Sequence, residues 1–291
     1  MKTIDGFCDW IKLQISSRGR PYSISTANGY KVYVNAVLRK TDSTIDTINK
    51  EKVEKFLSQY SCREENRNAG FASYNEYLAS LRLFEKYIGR EITTGLKFLK
   101  VSLPDIMNRK LSVIELGKLH KCPYLDLETL SLVTFLYDTG CRISEAMKIT
   151  DKTINLSKGF AVLKGTKNGK DRSVVFSPET ARIITLYQLS QGSNTDAIWG
   201  NHCYSSYSRK VKKAISMVCP EDLTGRFIGL HSLRHSRAFL LTLVGTSSIA
   251  LIDQLGWSSM EMARRYVHLS LEDRQEMIKE GDKKIKARYK K

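Results

Sequence analysis

The chain has 291 residues, 42% of them apolar, and carries 47 Lys and Arg against 30 Asp and Glu for a formal net charge of +17. That length supports two domains with real cores, and the lack of any run of about 18 consecutive apolar residues excludes a membrane-spanning helix. Both halves are basic, 19 against 12 charges (+7) before Leu111 and 28 against 18 (+10) after it, which points each of them at a polyanion.

The opening MKTIDGFCDWIK places acids inside its first apolar run and lacks a signal-peptide layout, so a cytoplasmic location is expected. Cys8, Cys62, Cys122, Cys141, Cys203 and Cys219 are scattered without a CxxC pair. Free buried thiols in a reducing compartment are expected, with neither a disulfide framework nor a zinc site.

Apolar periodicity predicts four helices over residues 4–15, 25–38, 50–60 and 71–88, the last marked by Tyr74, Tyr77, Leu78, Leu81, Phe84 and Ile88. A small helical bundle over residues 1–92 follows. It would turn Lys31, Arg39, Lys40, Lys52, Lys55, Arg82 and Lys86 outward. Residues 93–110 hold two threonines, Gly95, Pro104 and the basic pair Arg109-Lys110 without a sustained period, and are expected to form a linker.

A second domain over 111–291 should begin with a short helix after Ser112 and a longer one over 127–139, ended by Gly140. The next residues read T-G-C-R-I-S-E, placing Arg142 at the start of a further helix, where free N–H groups and the dipole already favour an anion, and Glu145 one turn on. Residues 160–164 and 172–176 read as two β-strands around the loop GTKNGKDR, in which Asn168-Gly169 is a hairpin-turn signal and Lys164, Lys167, Lys170 and Arg172 concentrate positive charge. Helices are predicted over 178–189 and 204–218. The second bears Arg209, Lys210, Lys212 and Lys213, a run suited to lying along a duplex.

The stretch HSLRHSRAFLLTLVGTSSIALIDQLGWSSMEMARRYVHLS carries the chemistry. Leu233, Leu240, Leu241 and Val244 form one apolar face of a helix opened by His231 and Arg234 and ended near Gly245. Ser247 is placed to cap a second helix bearing Ile249, Ile252 and Leu255, with Gly256 at its C-terminal stop and Trp257 beyond it. Ser258 and Glu261 make a capping box for a third helix that brings Tyr266 round within two turns. His120, His202 and His268 show no ligand spacing, and His235 is expected to pack or hydrogen-bond beside the site; no metal is predicted.

H-x-x-R-H at residues 231–235, L-G-W-S-S at 255–259, Y-x-H at 266–268 and the upstream T-G-x-R-x-x-E together resemble the tyrosine recombinases, also called the phage-integrase family. The resemblance implies a mainly α fold with a small antiparallel β-hairpin or sheet, in which a helical core-binding domain and a catalytic domain clamp DNA. It implies a site of Arg142, Lys167, His231, Arg234, Trp257 and Tyr266, with Glu145 and His235 behind them. Lys167 is chosen by counting back from the K-D-R that closes the loop, and Lys164 is the alternative. Lys164, Lys170, Arg172, Arg209, Lys210, Lys212 and Lys213 would contact DNA.

Phosphodiester exchange explains these residue types. Arg142 and Arg234 offer planar donor forks that fit non-bridging oxygens, and pre-aimed groups of this kind contribute about 3 kcal/mol each in a dry site. His231 would hydrogen-bond the same oxygens or accept the proton of Tyr266, the nucleophile, which would form a 3′-phosphotyrosyl link; Lys167 would protonate the leaving 5′-oxygen. Tryptophan where histidine is commoner keeps one N–H donor and cannot act as a base. The resemblance thus implies a site-specific recombinase working without cofactor or metal. It would act on paired half-sites as a dimer on each site and a tetramer in synapsis. A type IB topoisomerase and a catalytically silent DNA-binding protein are the alternatives. The tail, with Leu271, Ile278 and Ile285 seven residues apart, is expected to dock either on its own domain or on a neighbouring protomer.

Overall fold

A computed structural model describes residues 2–17, 19–62, 67–101, 109–165, 171–191, 197–200, 202–219 and 228–264, together with Tyr266 and four isolated tail positions. The chain divides into two compact units, Met1–Pro104 and Asp105–Lys291.

The first unit is built from α1 (Ile4–Lys12), α2 (Ile24–Lys40), α3 (Lys50–Ser61) and α4 (Arg67–Ile88). Thr3, Ser23 and Asn49 cap the first three by accepting backbone N–H bonds, each such cap contributing about 1 kcal/mol. Helix α1 stops three residues before the sequence pattern does: Leu13 caps it, and Ile15, which is exposed, pairs with Pro21 in a β-bridge. Phe7, Val34, Phe56, Leu78, Leu81 and Phe84 form the core.

The expected linker starts too early. Ile92 and Thr93 are buried and donate backbone N–H groups to Glu85, the Asn75 side chain makes two hydrogen bonds with the backbone of Leu99, and Arg82 donates to the Leu96 carbonyl. Residues 92–99 therefore belong to the first unit, held by side-chain amide, carboxylate and guanidinium bonds that leave no apolar period. Arg82, expected outward, is spent on that strap and lies over Phe98 at 4.6 Å.

The second unit opens with α5 (Val113–His120) and α6 (Leu127–Thr139). Ser112 and Glu115 form a reciprocal capping box on α5, and Gly140 ends α6 in the left-handed region at φ 63°. After the single turn α7 (Ile143–Ala146) come β1 (Ile154–Asn155), β2 (Phe160–Leu163) and β3 (Arg172–Val175), an antiparallel sheet in that order. Strand β1 is an addition to the expected hairpin; at two residues it is too short to show an alternating pattern. Helices α8 (Pro178–Gln191) and α9 (Tyr204–Val218) follow. Helix α6 is the central rod, with ten of its thirteen residues buried, and its apolar side meets Trp199, Ile184, Tyr207 and Leu233 in one core.

The last described helices are α10 (Leu230–Leu243), α11 (Ser248–Leu255) and α12 (Met260–Arg264). They frame a separate small core of Ala238, Leu251, Leu255, Trp257, Ala263 and Tyr266. Two apolar residues expected inward, Val244 and Ile249, are exposed, and Leu251 is buried in their place. Both lie at helix ends, where Gly245 turns the chain at φ 77° and periodicity loses its meaning. Cys8, Cys122, Cys141 and Cys219 are buried free thiols as expected, whereas Cys62 and Cys203 are exposed.

Candidate active site

Helix α10 supplies three of the expected side chains from its first two turns. Its N-terminus is closed by Ser232, whose hydroxyl accepts the Gly229 backbone N–H at 3.0 Å. Arg234 is buried, and its Nη1 donates to the carbonyl of Gly140 at 2.7 Å. That carbonyl is positioned by the left-handed turn ending α6, and a β-carbon on Gly140 would fall 2.3 Å from Leu255 Cδ2. One glycine thus holds Arg234 and admits α11. Burial first, and then the neighbouring Arg142 cation, draw the Arg234 guanidinium down to about 10, still protonated at neutral pH.

Arg142 precedes α7 in extended conformation, and its backbone N–H and Nη1 bind Glu145 Oε2 and Oε1 at 2.8 and 2.9 Å. Arg172 enters the same carboxylate as a fork, Nη1 to Oε1 at 3.0 Å and Nη2 to Oε2 at 2.9 Å. Burial of Glu145 alone would raise its pKa, but the hydrogen bonds from Arg172 and the Arg142 backbone outweigh it and bring the group down to about 2. Arg172 was expected against DNA. The structure commits its guanidinium to Glu145, with its side chain 13% exposed and packed on Gly256. Glu145, expected behind the lysine loop or His231, holds the first residue of that loop's return strand.

His231 reaches solvent. Surrounding protein atoms, then Arg234, Arg142 and Arg109, lower its basicity. Its ring meets that of His235, one turn on, edge to face at 4.8 Å. His235 Nδ1 lies 2.6 Å from the Tyr266 hydroxyl, and Trp257 stacks on the Tyr266 ring at 5.1 Å and 15°. Burial, then His231, Arg109 and Arg234, push His235 down to about 4. Among the expected residues, Arg142, Glu145, His231, Arg234, His235, Trp257 and Tyr266 therefore form one connected cluster. Lys167 and Lys170 lie outside the described residues, as do the side chains of Arg264 and Arg265.

The model of the phage integrase family matches residues 116–273, more than half of the chain and all of this cluster's motifs. The chain is a tyrosine recombinase of the phage integrase family. As such it is an enzyme of the class that breaks and rejoins DNA strands. It is 24% identical to the tyrosine recombinase XerA of Saccharolobus solfataricus over 257 residues, covering 81% of this chain and 82% of that one. With the tyrosine recombinase XerD of Staphylococcus saprophyticus it shares 27% identity over 256 residues, covering 82% and 84%. Among solved structures, a lambda integrase tetramer bound to a Holliday junction has the same fold, with TM-score 0.68 and 16% identity over 91% of this chain and 77% of that one.

In this recombinase two of the basic residues expected to face DNA from α9 also have contacts within the chain. Half-buried Lys210 pairs with Asp126 at 2.5 Å, and Lys213, exposed like Arg209 and Lys212, lies over the Tyr124 ring at 4.6 Å. Lys164 is exposed at the end of β2. Two residues near the site have no place in the sequence reading of it. Arg109 acts electrostatically on both histidines; the basic pair Arg109-Lys110 was its only signal. Gln254 pairs with the free edge of β3 like a strand, accepting from the Val175 N–H at 3.1 Å and donating to the Val175 carbonyl at 2.9 Å, and also donates to the Thr139 carbonyl. A lone glutamine on a helix gives no sequence signal for that role. Among the described residues, no group of His, Cys, Asp and Glu has the arrangement to hold a metal ion.

Proposed function

We propose that the protein is a site-specific DNA recombinase that cuts and rejoins DNA through a 3′-phosphotyrosyl intermediate at Tyr266, followed by a Holliday junction. The observation that carries the reading is the meeting of Tyr266 with the helix bearing His231 and Arg234, 31 residues away along the chain through the Tyr266–His235 contact. Burial first, and then the Arg142 cation, lower the proton affinity of Arg234, so a phosphodiester entering beside these two cations relieves a repulsion already present.

In the proposed reaction the Tyr266 oxygen bonds to phosphorus and the bond to the 5′-oxygen breaks. The phenolic proton is lost as the bond to phosphorus forms, His231 either accepting it or hydrogen-bonding the non-bridging oxygens, and Lys167 gives its proton to the departing oxygen. Arg142 and Arg234 bind the non-bridging oxygens throughout, with no metal required. The reading assigns residues 1–104 to clamping the duplex and the second unit to chemistry, on paired half-sites, as a dimer on each site and a tetramer in synapsis, in the nucleoid. The DNA-bound assembly named for lambda integrase supports this.

The test uses a nicked duplex built on a half-site selected by this protein from a random-sequence pool. Wild type should form a denaturation-resistant adduct in the presence of chelator, and Tyr266→Phe should form none. An undiminished adduct in the variant rejects the assignment.

A further inference from the structure

The phenol of Tyr266 is held in two directions. Trp257 lies nearly parallel to its ring and sets the plane, with the centroids 5.1 Å apart. His235 meets the hydroxyl 2.6 Å away and sets the oxygen within that plane, its own ring tilted 31° from the phenol. His235 is in turn braced by the edge-to-face His231 ring, one helical turn earlier on α10. A buried tyrosine, 5% exposed and just beyond the end of α12, therefore has its reactive oxygen met by a side chain of α10.

We propose that His235 is the positioning residue for the nucleophile: its unprotonated Nδ1 accepts the hydrogen bond of the Tyr266 hydroxyl, with the imidazole proton on Nε2. The proposal rests on the reading of Tyr266 as nucleophile. A phenol is the stronger donor of the pair and a neutral imidazole nitrogen the stronger acceptor, so this direction is favoured over Nδ1–H donation. The cations around α10 serve the same end, since burial together with His231, Arg109 and Arg234 keeps the ring neutral at physiological pH.

The same magnitudes separate positioning from proton removal. With its imidazolium brought down to about 4, His235 is a weak base towards a phenol, so complete transfer from Tyr266 is disfavoured in the resting site. A hydrogen bond costs no such transfer. It restricts the hydroxyl to one direction, which is the kind of pre-alignment that raises the rate of attack without altering DNA affinity.

The experiment compares His235→Asn and His235→Leu on the nicked duplex described above. Asparagine keeps an acceptor oxygen near the Nδ1 position and cannot serve as a base at neutral pH; leucine keeps volume and removes the acceptor. Leucine should slow adduct formation at saturating protein roughly ten- to hundredfold with half-site affinity within about twofold of wild type, and asparagine should recover most of the rate. Equal, severe defects in both variants would make His235 the base, and a near-normal rate with leucine would make it packing; either overturns the proposal. Should leucine fail to fold, ¹⁵N spectra of histidine-labelled wild type without DNA decide. Nδ1 should resonate as an unprotonated acceptor and shift on Tyr266→Phe, whereas a protonated Nδ1 rejects the proposal. Mass spectrometry of the wild-type adduct isolates the underlying reading, since linkage to a residue other than Tyr266 removes the nucleophile assignment whatever His235 does.

Discussion

Arg172 and Glu145, 27 residues apart, meet through two parallel N–H···O bonds of 3.0 and 2.9 Å, and the same carboxylate binds both the backbone and the side chain of Arg142. One buried acid thus joins the return strand of the β-hairpin to the arginine box. Because β3 is also paired by Gln254 of α11, the hairpin expected to carry Lys167 is tied to the helix that precedes Trp257 and Tyr266.

Removing that charge should be costly. Glu145→Gln leaves the Arg172 guanidinium in a largely buried setting without its counter-charge, for which a loss of about 3 kcal/mol is expected. Arg172→Lys keeps the charge and loses the fork, with a loss of about 1–2 kcal/mol. Urea denaturation of both variants checks the order. A Glu145→Gln protein as stable as wild type would show that the carboxylate does not hold these elements together.

Gly256 should tolerate no side chain. It sits at φ 64°, and an added β-carbon would lie 2.5 Å from Arg172 Cζ. Gly19, at φ 71° with nothing near its missing β-carbon, is the control for backbone strain alone. Gly19→Ala is expected to cost about 1 kcal/mol, and Gly256→Ala at least about 2 kcal/mol through added displacement of the guanidinium. Thermal melts of the two variants should differ accordingly; equal losses would mean that the Arg172 contact is easily relaxed.

Acid should destabilise the protein in two windows. His235 has a folded pKa depressed to about 4, so the unfolded chain binds the extra proton first and stability falls as pH drops from about 6.5 to 4, by about 3 kcal/mol. Glu145, depressed to about 2, contributes stability that is complete above about 4.5 and is lost as pH falls towards 2, again by about 3 kcal/mol. His235→Asn should remove much of the upper window and leave the lower one. Unfolding free energies measured across this range test both, and an upper window unchanged in the variant would assign it to another group.

Lys167→Ala should slow strand cleavage by about 10²- to 10⁴-fold if the lysine protonates the leaving oxygen. A duplex with sulfur at the bridging 5′ position needs no such proton and should restore much of the rate. Equal defects on both substrates would leave Lys167 with a binding role only.

Local chemistry made much of this protein readable as a sequence. The boundaries of α6 and α9, the glycine stops at Gly140 and Gly256 and the Ser247 cap depend on neighbours within a few residues, and they appear where the pattern places them. The motif residues could be read as well, because T-G-C-R-I-S-E occupies only residues 139–145 and H-S-L-R-H, L-G-W-S-S and Y-V-H only residues 231–268. Contacts between distant segments had no such trace. Nothing in the sequence marks Arg172 as the partner of Glu145 in preference to DNA, or Arg82 and Asn75 as anchors for residues 92–99, since a guanidinium or an amide bonds whichever acceptor the fold delivers. The turn of Arg172 from an outward cation to an internal one, and the choice of Tyr266 as the group that His235 meets, were decided when α10, α11 and the sheet closed around a common centre and left those polar groups to satisfy one another.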